Sequence, residues 1–315
     1  MTRDRLFKIL PILFSVALFG VAVWLIHKEL QEYPPGQVWA SFQAIPRRAI
    51  GIAIGLTGLN FVMFTGYDVL AIKYIQKTLS YGKTALVAAP SYAISNSLGF
   101  ELLIGGALRY RLYSDWGFSK IDIAKIIAFC NFSFWIGLFA VGGVMFVTEP
   151  LEMPDLLNLP FNSVHPVGWV FLALTLGYLA WSAFGHRTLR IRDFTLPHIP
   201  LSISSGQVIV TALDWIFASA TLYVLLNHHV TISYPGFFGV YLLAMIGAIV
   251  SHVPGGLGVF ETILMLLLDA QSETDAILGS LLAYRGVYYL LPLIISLIAL
   301  GIYSISRRGN RPTPS

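Results

Sequence analysis

Helix-breaking residues and an acid interrupt one of the most apolar parts of this 315-residue chain. The stretch SHVPGGLGVFE, residues 251–261, ends on Glu261 and contains four breakers, Pro254, Gly255, Gly256 and Gly258. A broken helix leaves backbone N–H and C=O groups that lipid cannot satisfy, so protein or a water-filled cavity must cover it. An ionisable residue beside such a break indicates a pathway for a polar solute. The alternative is a Gly-rich loop between two short helices.

Other polar side chains inside apolar stretches extend this candidate site. Carboxylates can pair with a cationic group, and arginines can hold a phosphate with bidentate geometry. The predicted site residues are Asp68, Asn96, Glu101, Arg109, Arg111, Asp214, His252, Pro254, Gly255, Gly256, Gly258, Glu261 and Arg285.

Structural roles for the charged members of this set are also open. Arg109 and Arg111 are placed beside Tyr110 and Tyr113, where both could be interfacial anchors. Asp68 and Arg285 could form a structural pair within the membrane. Asp214 lies six residues after the predicted start of its span and could reach the surface.

The amino-acid composition indicates what kind of fold must position these residues. Hydrophobic residues make up 56% of the chain and charged residues only 11%, with a mean hydropathy of +0.73, whereas soluble domains carry about 25% charged residues. The sequence therefore predicts an all-α polytopic membrane protein, a single integral membrane domain over residues 1–315. A net charge of +4 gives no reason to expect nucleic acid as a partner.

Hydropathy divides the chain into spans and interrupted stretches. The predicted spans are residues 9–26, 50–72, 121–147, 167–184, 208–226 and 276–305. The interrupted stretches are residues 86–108 and 237–268, an interfacial helix is predicted over 38–45, and 307–315 form a short polar tail.

The charge distribution orients these segments. With a cytoplasmic N-terminus, and with each interrupted stretch entering and leaving on one side, 16 of the 20 Lys and Arg residues lie inside. Three lie outside (Lys28, Arg47 and Arg48), and Arg285 lies within the membrane. A complete crossing by residues 86–108 would place four more basic residues outside, which the positive-inside rule disfavours. We therefore expect a hairpin of short helices at both interrupted stretches and two cytoplasmic termini.

The same order of elements occurs twice. Residues about 1–150 and about 165–306 each contain two spans, a broken hairpin and a further span, and the second half starts on the opposite side of the membrane. Asp68 and Asp214 both fall in the second span of their half. The sequence thus predicts two inverted halves with a transport site at the bilayer midplane. The alternative is a chance recurrence of short Gly motifs.

The inverted halves would bring Glu101 and Glu261, which follow the two Gly motifs, together near the midplane. A charge there costs at least ~2.5–3.5 kcal/mol on insertion scales. That cost must be offset by a basic partner such as Arg285, by water, by a bound cation or by protonation.

Two motifs carry a resemblance to a known family. NSLGFELLIGGALRYRLYSDWGFS, residues 96–119, and SHVPGGLGVFE together resemble the transmembrane flippase module of bacterial lysylphosphatidylglycerol synthetase/flippases, and the resemblance covers essentially the whole chain. In bifunctional members this module translocates aminoacylated phosphatidylglycerol, and further spans and a synthase domain follow it. Because this chain ends at Ser315, we expect neither of these here.

The resemblance implies a flippase-like lipid translocator in the bacterial inner membrane. Its partner would be membrane phospholipid or another polar lipid, including hopanoids. Asp68 and Asp214 would then pair with a cationic headgroup, and Arg109 and Arg111 would hold a lipid phosphate at the inner leaflet. The half-helix N-terminus after Gly258 would offer free N–H groups.

Two other functional classes stay open. One is an intramembrane enzyme with Glu101, Glu261 or Asp214 as acid or base. The other is a membrane subunit that supports a separate lipid synthase, and a homodimer is open as well. The sequence contains no H-E-x-x-H, no P-loop and no G-x-S-x-G elbow, which favours a non-enzyme without a cofactor.

Overall fold

The computed structural model describes residues 35–98, 104–149, 163–185, 189–191, 194–196, 198–226, 231–251, 256, 258–268 and 274–309. The predicted first span, residues 9–26, lies outside the described residues. So do four of the predicted site residues, Glu101, His252, Pro254 and Gly255.

The described part is helical apart from one short antiparallel hairpin, β1 (Leu189–Ile191) with β2 (Phe194–Leu196). The first helices are α1 (Pro35–Ala44), α2 (Arg47–Tyr74), α3 (Tyr81–Leu98), α4 (Gly106–Asp115), α5 (Lys120–Thr148) and α6 (His165–Phe184). The later helices are α7 (Leu201–Leu226), α8 (Tyr234–Val250), α9 (Val259–Leu267), α10 (Thr274–Tyr284) and α11 (Leu291–Gly309), with a π-helical turn, Arg285–Leu290, between α10 and α11.

Five helical segments are long and apolar enough to cross a bilayer. They are Arg47–Tyr74, Lys120–Thr148, His165–Phe184, Leu201–Leu226 and Ile277–Ser306. Each contains or closely overlaps one of the predicted spans, which confirms the prediction of a helical, multi-pass membrane protein. The largest boundary difference is at α7, which begins at Leu201 rather than near residue 208. The predicted polar tail also begins later, since α11 continues to Gly309.

Helices α2 and α7 form an antiparallel pair at the centre of the bundle, and α5 runs beside them. A Cβ atom built on Gly66 would lie 3.0 Å from Val210 Cγ1, and one built on Gly206 would lie 3.3 Å from Leu70 Cδ2. Such glycines allow two backbones to approach closely, which is how helices associate in membranes. α5 packs parallel to α7, with Gly137 against Thr211 and Ser133 bonded to Gln207.

The first interrupted stretch is a pair of short helices, α3 and α4. Gly105, just before α4, packs so closely on α3 that an added Cβ would lie 2.6 Å from Ser95 Oγ. The pair begins and ends at one end of the bundle, since the Lys83 ammonium near the start of α3 lies 5.4 Å from the ring centroid of Trp116 just after α4. Both ends of the pair therefore lie at one end of the bundle, as expected for a hairpin of short helices.

The second interrupted stretch is also a helix pair, α8 and α9. The break between them contains Gly256 at φ +64° and Gly258 at φ +77°, a region that L-amino acids with a Cβ rarely adopt. α9 packs on α8 at Gly247, where an added Cβ atom would clash with the Ile263 side chain. The rings of Tyr241 and Phe260 also meet between the two helices, with centroids 5.5 Å apart. The predicted helix break is thus present, and Gly256 and Gly258 adopt conformations that favour glycine.

The ends of several elements meet at one end of the bundle, called here the Lys77 end. Lys77 Nζ contacts Asp122 Oδ2 at 2.7 Å and lies 5.1 Å from the Phe118 ring. Trp116 also lies 6.2 Å from Tyr303 near the end of α11. The loop after α4 and the end of α11 therefore share one side. The inverted repeat itself stays a prediction, because its first span is outside the described residues.

Two glycine substitutions should separate backbone strain from steric clash at the break. A Cβ on Gly256 would lie 2.8 Å from Ala248 Cβ, whereas one on Gly258 would meet nothing within 4 Å. We expect Gly258→Ala to lower the free energy of unfolding by about 1 kcal/mol, from the left-handed backbone alone. Gly256→Ala should cost about 2–3 kcal/mol, because overpacking adds to that strain.

The matched control is Gly177→Ala in α6, where an added Cβ meets nothing within 4 Å and the backbone is helical. Thermal unfolding of the purified variants measures all three effects. Equal losses for Gly256→Ala and Gly177→Ala would show that the break is an ordinary connector.

Candidate functional site

Asp68 and Arg109 form a fully buried ion pair between α2 and α4. Arg109 Nε donates to Asp68 Oδ1 at 3.0 Å, and Arg109 Nη2 donates to Oδ2 at 2.8 Å. The side chains are 0% and 1% exposed, respectively. The Asp68 carboxylate also accepts a hydrogen bond from the Tyr113 hydroxyl at 2.7 Å. A bidentate pair of this kind is the strongest arrangement available to arginine and a carboxylate, and it ties the first hairpin to α2.

This geometry corrects two interpretations. The structural pair of Asp68 with Arg285 is wrong, because Asp68 bonds to Arg109 instead. Arg109 is not an interfacial anchor, since only 1% of it is exposed. Its neighbours Tyr110 and Arg111 are exposed, which agrees with a role of Arg111 as an interfacial anchor.

Asp214 lies at the midpoint of α7, 13 residues after Leu201 and 12 before Leu226. It is 4% exposed, so the interpretation that it reaches the surface is wrong. Asn60 Nδ2 donates to Asp214 Oδ1 at 2.7 Å and to the Asp214 carbonyl at 2.8 Å. The Tyr67 hydroxyl donates to Oδ2 at 2.6 Å, and Tyr288 donates to Asn60 Oδ1 at 3.1 Å. The cluster joins α2, α7 and the π-helical turn.

Glu261 and Arg285 form a second ion pair, between α9 and the π-helical turn. Arg285 Nε and Nη2 donate to Glu261 Oε1 at 3.0 and 2.5 Å. The other carboxylate oxygen accepts the Gly258 N–H at 2.9 Å, so Glu261 also caps α9. Their side chains are 5% and 11% exposed. Arg285 is therefore the basic partner of Glu261, which is one of the four ways of offsetting the Glu261 charge that the sequence left open.

Aromatic rings connect these three groups through the interior. The Arg109 guanidinium lies 4.6 Å from the Tyr92 ring centroid, and Tyr92 lies 5.6 Å from Tyr67. Tyr67 bonds Asp214, and Asn60 leads on to Tyr288, one turn from Arg285. We call this arrangement the buried polar column. Its members are Arg109, Asp68, Tyr92, Tyr67, Asp214, Asn60, Tyr288, Arg285 and Glu261.

The remaining predicted site residues contribute less. Asn96 is half-buried in the last turn of α3 and takes part in none of these bonds. Gly256 and Gly258 shape the start of α9. Because Glu101 is outside the described residues, its meeting with Glu261 stays a prediction, and the same holds for the roles of His252, Pro254 and Gly255.

The interpretation of the sequence missed the neutral partners of the charged residues, namely Asn60, Tyr67, Tyr113 and Tyr288. Helical spacing carries a signal for two of them. Asn60 and Tyr67 are seven residues apart, two turns along one face of α2, with Asp68 next to them. A search for polar residues two turns apart on one face of α2 would have found both.

Two buried serine hydroxyls of the first helix pair have no hydrogen-bond partner among the described residues. They are Ser91 Oγ and Ser95 Oγ on α3, and their residues are 0% and 1% exposed. Pro90 lies inside this helix and cannot donate a backbone hydrogen bond. An added Cβ on Gly105 would lie 2.6 Å from Ser95 Oγ and 3.2 Å from Arg109 Nη1, so these groups face one another.

Comparison with known proteins agrees with this architecture. Residues 12–296 match the family model described as the lysylphosphatidylglycerol synthase TM region. The chain is 46% identical over 310 residues to the uncharacterized protein slr0712 of Synechocystis sp. (strain ATCC 27184 / PCC 6803 / Kazusa), covering 98% of this chain and 96% of that protein. It is 29% identical over 296 residues to the inner membrane protein YbhN of Escherichia coli (strain K12), covering 92% and 90%.

A third relative is much longer than this chain. The phosphatidylglycerol lysyltransferase of Staphylococcus aureus (strain MRSA252) is 26% identical over 300 residues, which are 94% of this chain but 34% of that protein. The chain therefore spans about a third of that relative. From the family match over residues 12–296, the chain belongs to the family of the lysylphosphatidylglycerol synthase TM region.

Proposed function

We propose that this chain is a flippase-like lipid translocator of the bacterial inner membrane, which moves a polar or charged lipid headgroup between leaflets. The observation that carries the proposal is the buried polar column. An ionisable residue in a membrane-spanning bundle costs at least about 2.5–3.5 kcal/mol on insertion scales and marks a pathway by default. Here five such residues lie in the interior, connected by tyrosine and asparagine side chains.

The depth of these groups fits passage across the bilayer. Asn60 and Asp214 lie at the midpoints of α2 and α7. Asp68 lies eight residues, about 12 Å, further along α2 toward the Lys77 end. The Glu261–Arg285 pair is held one turn from Tyr288 on the other side of the central cluster. A headgroup would therefore meet a polar group at successive depths rather than continuous hydrocarbon.

The two ion pairs supply complementary charges for such a headgroup. Arg109 uses Nε and Nη2 for Asp68, and its Nη1 makes no hydrogen bond within the described ranges. Nη1 and Ser95 Oγ, which both lie beside Gly105, can therefore offer a polar surface to a lipid phosphate. Phosphatidylglycerol, after which the staphylococcal lysyltransferase is named, is one substrate with such a phosphate.

Cytoplasmic termini are part of the proposal, and thiol labelling tests them. Ser114 and Ser306 are exposed, and the rings of Trp116 and Tyr303 place their segments at the same end of the bundle. In a Cys130→Ala background, Ser114→Cys and Ser306→Cys should resist impermeant thiol reagents added outside intact cells. Arg48→Cys, at the opposite end of α2, should react. Outside labelling at position 114 would contradict this orientation.

Leaflet exchange in proteoliposomes tests the function itself. The purified protein is reconstituted with a headgroup-labelled phospholipid, and a membrane-impermeant quencher reports the fraction in the outer leaflet. We expect exchange that depends on the amount of protein and leaves the lipid chemically unchanged. A new lipid species would support an intramembrane enzyme instead. If the protein neither exchanges nor converts the lipid, a role as a subunit of a separate lipid synthase would be favoured.

A further inference from the structure

One face of α2 is exposed along the first half of the helix and carries three glycines. Gly51, Gly55 and Gly58 are spaced four and three residues apart, so they lie in one row along the helix. All three are exposed, and a Cβ atom added to any of them would meet no atom of the described residues within 4 Å. Val62 continues the row and is 48% exposed. We call these four residues the α2 glycine face.

Contact with lipid alone gives no reason for glycines at these positions. A glycine within a helix is less favourable than an alanine, because it loses more conformational freedom on folding. Gly66, further along the same helix, has a packing reason, since an added Cβ atom there would lie 3.0 Å from Val210 of α7. Small residues spaced about one turn apart are the feature at which membrane helices approach each other closely. The α2 glycine face therefore fits a second apolar helix.

The predicted first span, residues 9–26, ends close to this face along the chain. Residues 27–34 connect it to α1, and only Ile45 and Pro46 separate α1 from α2. Consecutive crossings run in opposite directions, so the end of the span and the start of α2 lie on the same side of the membrane. A helix of 18 residues is about 27 Å long, enough to cover the roughly 22 Å of α2 from Arg47 to Val62. Residues 12–26 also belong to the family match.

Charge favours this span over a second copy of the chain. Arg47 is exposed and lies one turn before Gly51 on the glycine face. In a dimer with a two-fold axis along the membrane normal, the same face of both copies would meet, and the two Arg47 side chains would repel each other. The connection after the first span instead contains two acids, Glu29 and Glu32, and one lysine. It therefore brings a net negative charge to the end of the bundle where Arg47 lies.

We infer that the α2 glycine face is the docking surface for the first span of the same chain, which packs antiparallel to α2. Asn60 lies on the opposite side of the helix, nine residues or 2.5 turns from Gly51, and bonds Asp214. The docked span thus holds α2 from behind, while the other side of the helix contributes to the buried polar column. This contact requires no lipid movement, so the inference stands or falls separately from the proposed function.

Cysteine crosslinking within one chain tests the contact. Val62→Cys, in a Cys130→Ala background, is combined in turn with Ile12→Cys, Leu13→Cys, Phe14→Cys or Ser15→Cys. These four positions cover one full turn of the span at the depth expected for Val62. A protease site inserted between residues 27 and 34 separates the two cysteines after cleavage, so that an intrachain disulfide keeps both fragments together on a non-reducing gel. After oxidation in membranes, we expect at least one pair to stay joined.

Leu174→Cys is the matched control for Val62→Cys, because Leu174 is 49% exposed but lies on α6. Combined with the same four positions, it should give a yield of joined fragments at least about fivefold lower. Four Val62→Cys pairs that join no better than this control would overturn the inference. So would disulfide-linked dimers of the Val62→Cys single variant, which would assign the face to a second copy.

Replacing a glycine of the face should weaken the same crosslink. Gly55→Leu adds a side chain where the span must approach closely, and we expect the yield of the best pair to fall at least about fivefold. Gly177→Leu is the matched control, because Gly177 is exposed on α6 and an added Cβ atom there also meets no described atom within 4 Å. It should leave the yield unchanged. A full yield in Gly55→Leu would contradict docking on the glycines.

Discussion

Replacing Asp68 with asparagine should lower the free energy of unfolding by about 3–5 kcal/mol, because it leaves the Arg109 charge buried without its partner. Arg109 is 1% exposed, bonded to Asp68 on α2 and positioned against the Tyr92 ring on α3, so its charge is shielded from water. The asparagine keeps an acceptor for the Tyr113 hydroxyl, which confines the change to the ion pair. Thermal or denaturant unfolding in detergent measures the loss.

The Lys77–Asp122 pair is the matched control for this substitution. Its side chains are 38% and 19% exposed, and its N–O distance of 2.7 Å is close to that of the buried pair. Lys77→Ala should therefore cost about 0–1 kcal/mol, the range of surface ion pairs. Similar losses for Asp68→Asn and Lys77→Ala would show that Arg109 is not desolvated as the structure describes.

Glu261 should show two separable effects, because its two carboxylate oxygens have different partners. Glu261→Gln keeps an acceptor for the Gly258 N–H but removes the charge opposite Arg285, and we expect a loss of about 3 kcal/mol. Glu261→Ala also leaves the Gly258 N–H unpaired and should cost about 1 kcal/mol more. Unfolding of both variants under the same conditions gives the two values.

Thr262 is the control for the cap alone. Its hydroxyl donates to the Gly258 carbonyl at 2.6 Å, and the residue is exposed, so Thr262→Ala should cost less than about 1 kcal/mol. A Glu261→Gln variant as stable as the parent would contradict a desolvated Glu261–Arg285 pair. In that case Glu261 would serve only to cap α9, a role that any side chain with a hydrogen-bond acceptor at this position could fill.

The helix breaks and spans could be predicted because they depend on local properties. Glycines at the second break, such as Gly256 and Gly258, cannot continue a helix in the conformations found there. Charge near the ends of residues 86–108 favoured a hairpin over a crossing, and the position of Trp116 beside Lys83 agrees with a hairpin. Both signals can be read within about twenty residues of sequence.

The partners of the buried charges could not be predicted, because they depend on packing between distant segments. Asp68 and Arg109 are 41 residues apart, and Asn60 and Asp214 are 154 apart. Asp68, Glu261, Arg109 and Arg285 allow more than one neutral pairing, and only the fold selects between them. The sequence left Arg285 open as a partner of either acid, while the structure assigns it to Glu261.

The misplaced start of α7 has a specific cause. Residues 201–207 are rich in serine and include Gln207, so their hydropathy resembles that of a loop. In the fold, Ser204 bonds Ser182, and Gln207 bonds both Ser133 and Tyr178. These polar side chains face neighbouring helices rather than water or lipid. Because α7 starts at Leu201, Asp214 lies at the midpoint of the helix rather than near its end.

Lipid exchange by the double variant Asp68→Asn/Arg109→Met tests the central claim most directly, because it removes the charges without stranding either of them. Replacing a buried ion pair with neutral groups of similar volume is often neutral for stability. We therefore expect the double variant to unfold within about 1 kcal/mol of the parent, and to exchange lipid at least tenfold more slowly in proteoliposomes. Exchange at the parental rate by this stable variant would show that the pair is structural and that no lipid pathway depends on it.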